Sequence, residues 1–146
     1  MADDTLADIL DEHRHVTDLI GRLQTAMEDE KAGEPWAEQV AGMLDQLVKL
    51  LREHFGGEAE TTFFQEMIEA EPRLTNQLQK LALEHSAILR AFVEGADLAK
   101  RLSTGEGEAK QLRRKVQVAI ATLRRHEAEE NELVMQAYWD DMGGRG

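Results

Sequence analysis

The sequence predicts an all-α protein folded as an antiparallel up-down four-helix bundle. Its composition is that of helices, because aromatic residues make up only 5% of the chain and prolines number two, while Leu, Ala, Glu, Gln and Lys are abundant. Three breaks, "KAGEPW", "AEPRL" and "STGEG", divide the chain into four long segments. Four helices with short connections favour an antiparallel bundle.

Each of the four segments carries apolar residues at helical spacing. The segments cover about residues 5–30, 36–69, 73–102 and 108–141. Their stripes run from Leu6 to Met27, from Val40 to Glu58, from Leu74 to Ala96 and from Leu112 to Ala137. Four of the five histidines and two glutamates lie on these stripes, so they are expected to point into the core, whereas His15 lies off its stripe and is expected to face water.

The charge and cysteine content limit the classes of function. With 17 basic and 29 acidic residues the formal net charge is −12, which argues against nucleic acid or an anionic membrane as a partner. The chain has no cysteine, so a metal would be held by nitrogen and oxygen ligands. The acidic start and the lack of an apolar run of ~18 residues favour a cytoplasmic protein.

An internal repeat is the most informative feature of the sequence. His13 and His54 are 41 residues apart, as are His85 and His126. A shift of 72 residues places His13 on His85, His54 on His126 and Glu58 on Glu130. The halves therefore look like two copies of one helical hairpin, related by a pseudo-two-fold axis that brings both sets of residues to the bundle centre.

Four histidines and two carboxylates in a core form a candidate metal site. A buried carboxylate without a partner costs several kcal/mol, and a pair of cations bridged by Glu58 and Glu130 would offset that cost. Such ligands suit iron, manganese, zinc or copper alike. Glu12, Glu53 and Glu84 each precede one of the histidines, and they are expected to face water rather than to bind the imidazoles.

The stretch "HFGGEAE", residues 54 to 60, contains two adjacent glycines. Each costs roughly 1 kcal/mol relative to alanine inside a helix. Either the helix ends there, with Gly56 or Gly57 as its C-cap, or it continues and places His54 and Glu58 on one face.

The motifs "DEHRHV", "LLREHFGGEAE", "LALEHSAIL" and "LRRHEAEENEL" resemble the hemerythrin-like, or HHE cation-binding, domain. The resemblance covers about residues 6 to 139, nearly the whole chain, and implies one domain over residues 1–142, while the tail "GGRG" at 143–146 is expected to be disordered. It implies two iron ions in an oxygen-bridged non-haem centre, held by His13, His54, Glu58, His85, His126 and Glu130. It also implies a reaction with dioxygen, peroxide or nitric oxide, or iron sensing, and it supports a continuous second helix through Gly56 and Gly57.

This chain departs from the oxygen-carrying members on the third helix. Those members have two histidines four residues apart, whereas Leu81 and Leu89 flank His85 at that spacing. With four histidines each iron should have room for an added ligand, which predicts a redox-active or sensing site rather than an oxygen carrier. The alternatives are iron or oxygen sensing, iron storage without turnover, a structural zinc site and a metal-free interaction module. Reductase partner and oligomeric state stay open.

Overall fold

The computed structural model describes residues 2–29 and 33–143, with side chains described for 7–29, 33–57 and 61–136. All regular structure in this part of the chain is helical, so the all-α class is confirmed. The α-helices are α1 (Ala2–Glu28), α2 (Glu34–Phe55), α3 (Glu58–Ala70), α4 (Thr75–Ser103) and α5 (Ala109–Gly143), and a 3₁₀ turn covers Pro72–Leu74.

Three of the four predicted helices are present, and the local sequence explains their limits. Gly33 and Pro35 begin α2, with the proline in the first helical turn where a missing N–H is tolerated. The turn between α4 and α5 uses Gly105 and Gly107, whose φ angles of 89° and 97° favour glycine. The disordered tail was predicted at 143–146, but Gly143 is the last residue of α5, and residues 144–146 lie outside the described residues.

The prediction of one continuous second helix is wrong. The helix ends at Phe55 and a new helix begins at Glu58, so the described chain has five α-helices instead of four. Gly57 has an extended backbone, with φ −75° and ψ 150°. A Cβ at Gly57 would lie 2.7 Å from the carbonyl oxygen of Glu53. The glycine is therefore needed for close approach to the preceding turn, and not to leave space beside a neighbouring helix.

Two apolar clusters fill the helical bundle, one towards each end. In α1, α4 and α5 the residues of one cluster precede those of the other along the chain. The larger cluster includes Val16, Leu23, Trp36, Leu44, Leu51, Ile88, Phe92, Leu112, Val116 and Leu123. The smaller cluster is formed by Ile9, Phe63, Phe64, Met67, Leu74, Leu78, Leu81, Leu133 and Val134. Along α1 and α5 the buried histidines and glutamates fall between the two clusters, and on α4 the partly buried His85 does so.

Most predicted stripe residues are buried, with one clear exception. Leu10 is 47% exposed although it was placed on the first stripe. Met27, at the end of the first stripe, is buried as expected, and Trp36 and Met67 are also buried. Met43 is partly buried against the larger cluster. In the part of the chain that the structure describes, no helix is long and apolar enough to cross a membrane.

Candidate metal centre

The four predicted histidines meet in the polar layer between the apolar clusters. His13 and His54 form one pair, with ring centroids 4.9 Å apart. His85 and His126 form the other, with ring centroids 5.0 Å apart. The near-equal separations are those expected of a structural repeat. His15 is exposed beside Asp11, as predicted for a solvated residue.

Glu130 contacts one histidine of each pair. The carboxylate of Glu130 lies 3.0 Å from Nε2 of His13 through Oε1, and 3.3 Å from Nε2 of His126 through Oε2. One buried carboxylate therefore reaches an imidazole of each half. The first residue of α3 is Glu58, the predicted counterpart of Glu130, but its side chain lies outside the described residues.

Glu12 and Glu84 accept hydrogen bonds from the outer edges of two imidazoles. Nδ1 of His54 donates to Oε2 of Glu12 at 2.7 Å, and Nδ1 of His126 donates to Oε1 of Glu84 at 2.9 Å. The expectation that these two glutamates face water is therefore wrong. The same pattern occurs in both halves, since Glu12 plus 72 is Glu84. Glu53, by contrast, is exposed as expected.

These outer hydrogen bonds fix the orientation of the imidazole rings and the nitrogen atom that points to the centre. An Nδ1–H that donates to a carboxylate holds the ring orientation and leaves Nε2 as the inward atom. His13 is held in a related way, because its Nδ1 lies 2.9 Å from Oδ1 of Asn131. The arrangement is the one that metal-binding histidines usually have.

Glu127 is a buried carboxylate of the site that the sequence analysis did not identify. Its Oε2 lies 3.0 Å from Nε2 of His13, and its Oε1 lies 3.8 Å from Nε2 of His54. Within the described residues, neither of its oxygens accepts a well-aligned hydrogen bond, and Oε2 of Glu130 accepts none either. Buried carboxylate oxygens without such partners are costly in a metal-free site.

The electrostatics of the site favour charged imidazoles when metal is absent. Burial opposes protonation of His13 and of His126, but hydrogen bonds and the negative charges of Glu127 and Glu130 outweigh it, so both pKa values are raised. Burial also opposes ionisation of Glu130, yet its close contact with the His126 imidazole and its hydrogen bond with His13 lower its pKa to about 2. Burial is the main cause that raises the pKa of Glu127. In the metal-free protein, protons on the imidazoles therefore balance the carboxylate charges that a bound cation would balance instead.

The distances divide the site into two overlapping groups of possible ligand atoms. In each group the atoms lie within 4.8 Å of one another. The first group contains His13, His54, Glu127 and Glu130, and the second contains His85, His126 and Glu130. Of the six predicted ligands, five therefore come together in the described part of the chain.

The spacing of α5 contains a signal that points to Glu127. Two buried rows of α5 alternate by four and three residues: Val116, Ile120, Leu123, Glu127, Glu130 and Val134, and Leu112, Val116, Ala119, Leu123, His126, Glu130 and Leu133. This alternation marks the inward seam of a helix in a bundle. A stripe drawn through His126 instead passes beside Glu127, so the carboxylate was overlooked.

The comparisons with known proteins agree with this geometry. A family model described as the Hemerythrin HHE cation binding domain matches residues 4–138. No match is found among curated proteins or among solved structures.

Proposed function

The chain belongs to the hemerythrin HHE cation-binding domain family, and we propose that it holds two iron ions in the buried histidine and glutamate layer and reacts with dioxygen or peroxide. One observation carries the proposal. Nε2 atoms of histidines from both halves and the oxygens of Glu127 and Glu130 converge in a shielded layer between two apolar clusters. Without a cation, both oxygens of Glu127 and Oε2 of Glu130 are buried with no aligned hydrogen-bond partner in the described chain, which is costly for a metal-free helical module.

The residues present fit a metal pair. His13 and His54 would serve one ion, His85 and His126 the other, and Glu130 both, since each carboxylate oxygen already faces an imidazole of a different half. Glu58 is predicted from the repeat to be the second shared carboxylate. Buried oxygens that lack well-aligned hydrogen bonds in the described chain would gain cationic partners.

The arrangement of helices supports a bundle of four arms, in which each arm is one helix or, for α2 and α3, two consecutive helices. α2 contributes only to the larger apolar cluster and α3 only to the smaller one, so together they occupy the length that α1 occupies alone. We infer that α2 and α3 form one interrupted arm of an up-down bundle. The interruption directly follows His54, so this arm would deliver a ligand at the point where its helix ends.

When bound, iron supplies one-electron redox chemistry and coordination positions open to small oxygen-containing molecules. The protein's own part is to orient the imidazoles through Glu12, Glu84 and Asn131. The apolar clusters on either side keep bulk water from the layer, which strengthens interactions between charges there. With one histidine from each arm, neither ion would be saturated by nitrogen ligands, which favours reaction over reversible carriage of dioxygen.

A second candidate is iron or oxygen sensing without turnover. The helix break at Gly56 and Gly57 lies next to His54, so metal binding and release at this imidazole would act directly on the packing of α3. A sensor of this kind needs one stoichiometric response, not repeated reaction.

Peroxide consumption by the iron-loaded protein tests the proposal. Sustained turnover that is lost in Glu130→Gln, with Glu129→Gln as the matched control on the same helix, supports peroxide handling. A single stoichiometric oxidation followed by inactivity favours the sensor. A reversible dioxygen complex that releases dioxygen unchanged on degassing contradicts both the redox assignment and the argument from four histidines.

A further inference from the structure

At one position inside the site the internal repeat pairs an apolar residue with an acidic one. Residue 55 plus 72 is residue 127, so Phe55 of the first hairpin corresponds to Glu127 of the second. The exchange replaces an apolar ring with a carboxylate where both residues adjoin the candidate ligands. The histidines and the outer glutamates, Glu12 and Glu84, are the same in both halves, whereas Asn131 beside His13 corresponds to Ala59.

Phe55 and Glu127 occupy equivalent places in the repeat but contact their histidines in different ways. Phe55 stacks on His85, with ring centroids 4.0 Å apart and an angle of 5° between the planes. Glu127 lies against His13, the counterpart of His85, with Oε2 at 3.0 Å from Nε2. One half therefore presents an additional anionic oxygen pair to its imidazoles, and the other presents an aromatic face.

Glu127 is buried inside the site and faces two of its histidines. The residue is 91% buried, since its exposed fraction is 9%. Its oxygens face His13 and His54 and accept no well-aligned hydrogen bond within the described chain. In contrast Glu129, two residues along the helix, is partly exposed and pairs with Lys80 at 3.5 Å.

We propose that the site holds its two metal ions unequally, with Glu127 as an additional ligand that makes the His13 and His54 position the tighter one. This inference rests on the proposed function, because it assumes that both positions bind metal. An added carboxylate contributes negative charge and an oxygen ligand to one divalent cation. The phenyl ring of Phe55 contributes neither to the His85 and His126 position.

The inference predicts two resolved steps when the metal-free protein is titrated anaerobically with Fe²⁺ or with Co²⁺. Wild-type protein should bind the first equivalent at least about tenfold more tightly than the second, a difference in the range that altered ligand surroundings produce. Cobalt absorption in the visible region, calorimetry and metal retained after gel filtration report the steps without any assay of activity.

Three variants test the role of the carboxylate. Glu127→Gln keeps the size of the side chain and should remove the tighter step, so that affinity for the first equivalent falls at least about tenfold. Glu127→Asp should restore part of that affinity because it keeps the charge. Glu129→Gln is the matched control and should leave both steps unchanged. Circular dichroism of each metal-free variant shows whether the helices are retained.

The outcomes separate the inference from the proposed function. If wild-type protein binds two ions in one class of equal sites, or if Glu127→Gln leaves a folded protein with both steps unchanged, the inference is wrong while the metal centre stands. If wild-type protein binds no metal, the proposed function itself fails. The wild-type titration decides the question of unequal sites even if a variant does not fold.

Discussion

Substitution of Gly57 by alanine tests the explanation given for the break between α2 and α3. A Cβ at this position would lie 2.7 Å from the Glu53 carbonyl oxygen and 3.4 Å from that of His54. Carbon and oxygen atoms in contact are normally more than 3 Å apart, and the nearer atom is backbone, so relief requires movement of the chain. Local backbone displacement of this kind costs on the order of 1–3 kcal/mol.

Gly42→Ala is a matched control with the opposite expected sign. Gly42 is exposed within α2 and a Cβ there would meet nothing within 4 Å. Replacing a helical glycine by alanine stabilises a protein by roughly 0.4–1 kcal/mol, because the unfolded chain loses freedom and the helix gains propensity. The same substitution thus separates a glycine needed for contact from one that is merely tolerated.

Urea unfolding of the metal-free proteins, followed by helical circular dichroism, measures both effects. The unfolding midpoint of Gly57→Ala should fall and that of Gly42→Ala should rise, with similar slopes. For a domain of this size each 1 kcal/mol corresponds to a shift of roughly 2–4 °C in melting temperature. If Gly57→Ala is as stable as wild type or more stable, the contact argument is refuted and the helix break has another cause.

Two further predictions concern the imidazoles and the site without metal. Glu84→Gln should weaken metal binding roughly 10–100-fold by releasing His126, whereas the exposed Glu53→Gln should not, as calorimetric titration of both variants will show. Metal-free protein should be most stable between about pH 4.5 and 6.5. The lowered pKa of Glu130 stabilises the fold above its usual 4.5, a contribution lost as the pH falls towards about 2. The raised pKa values of His13 and His126 stabilise it below their usual 6.5, a contribution lost as the pH rises through them. The raised pKa of Glu127 adds a loss of stability above its usual 4.5, so the maximum lies towards the lower end of this range. Urea midpoints measured from pH 3 to 9 check this, and a maximum above pH 8 contradicts it.

Regular spacing explains why much of the fold was predictable. Buried side chains repeat every three or four residues along the helices, and the histidines share that spacing, so their inward direction follows from the sequence. The repeat of 72 residues predicted the pairing of His13 with His54 and of His85 with His126, which the ring distances confirm.

What escaped prediction depends on contacts between distant segments. The hydrogen bond from His54 to Glu12 joins residues 42 positions apart, and helical position alone does not tell whether a border glutamate turns inward. The glycine pair alone is compatible with a helix end or a continuous helix, and the resemblance to the hemerythrin-like domain favoured the continuous helix. The clash with the Glu53 carbonyl that requires this glycine is visible only in three dimensions.

Metal content per chain tests the central claim most directly. Elemental analysis of protein purified without added metal or chelator should find about two irons per chain, in keeping with two groups of ligand atoms that share Glu130. Zinc alone, or no metal in a protein whose helices are intact, would contradict the di-iron proposal and leave the reaction with dioxygen or peroxide without support.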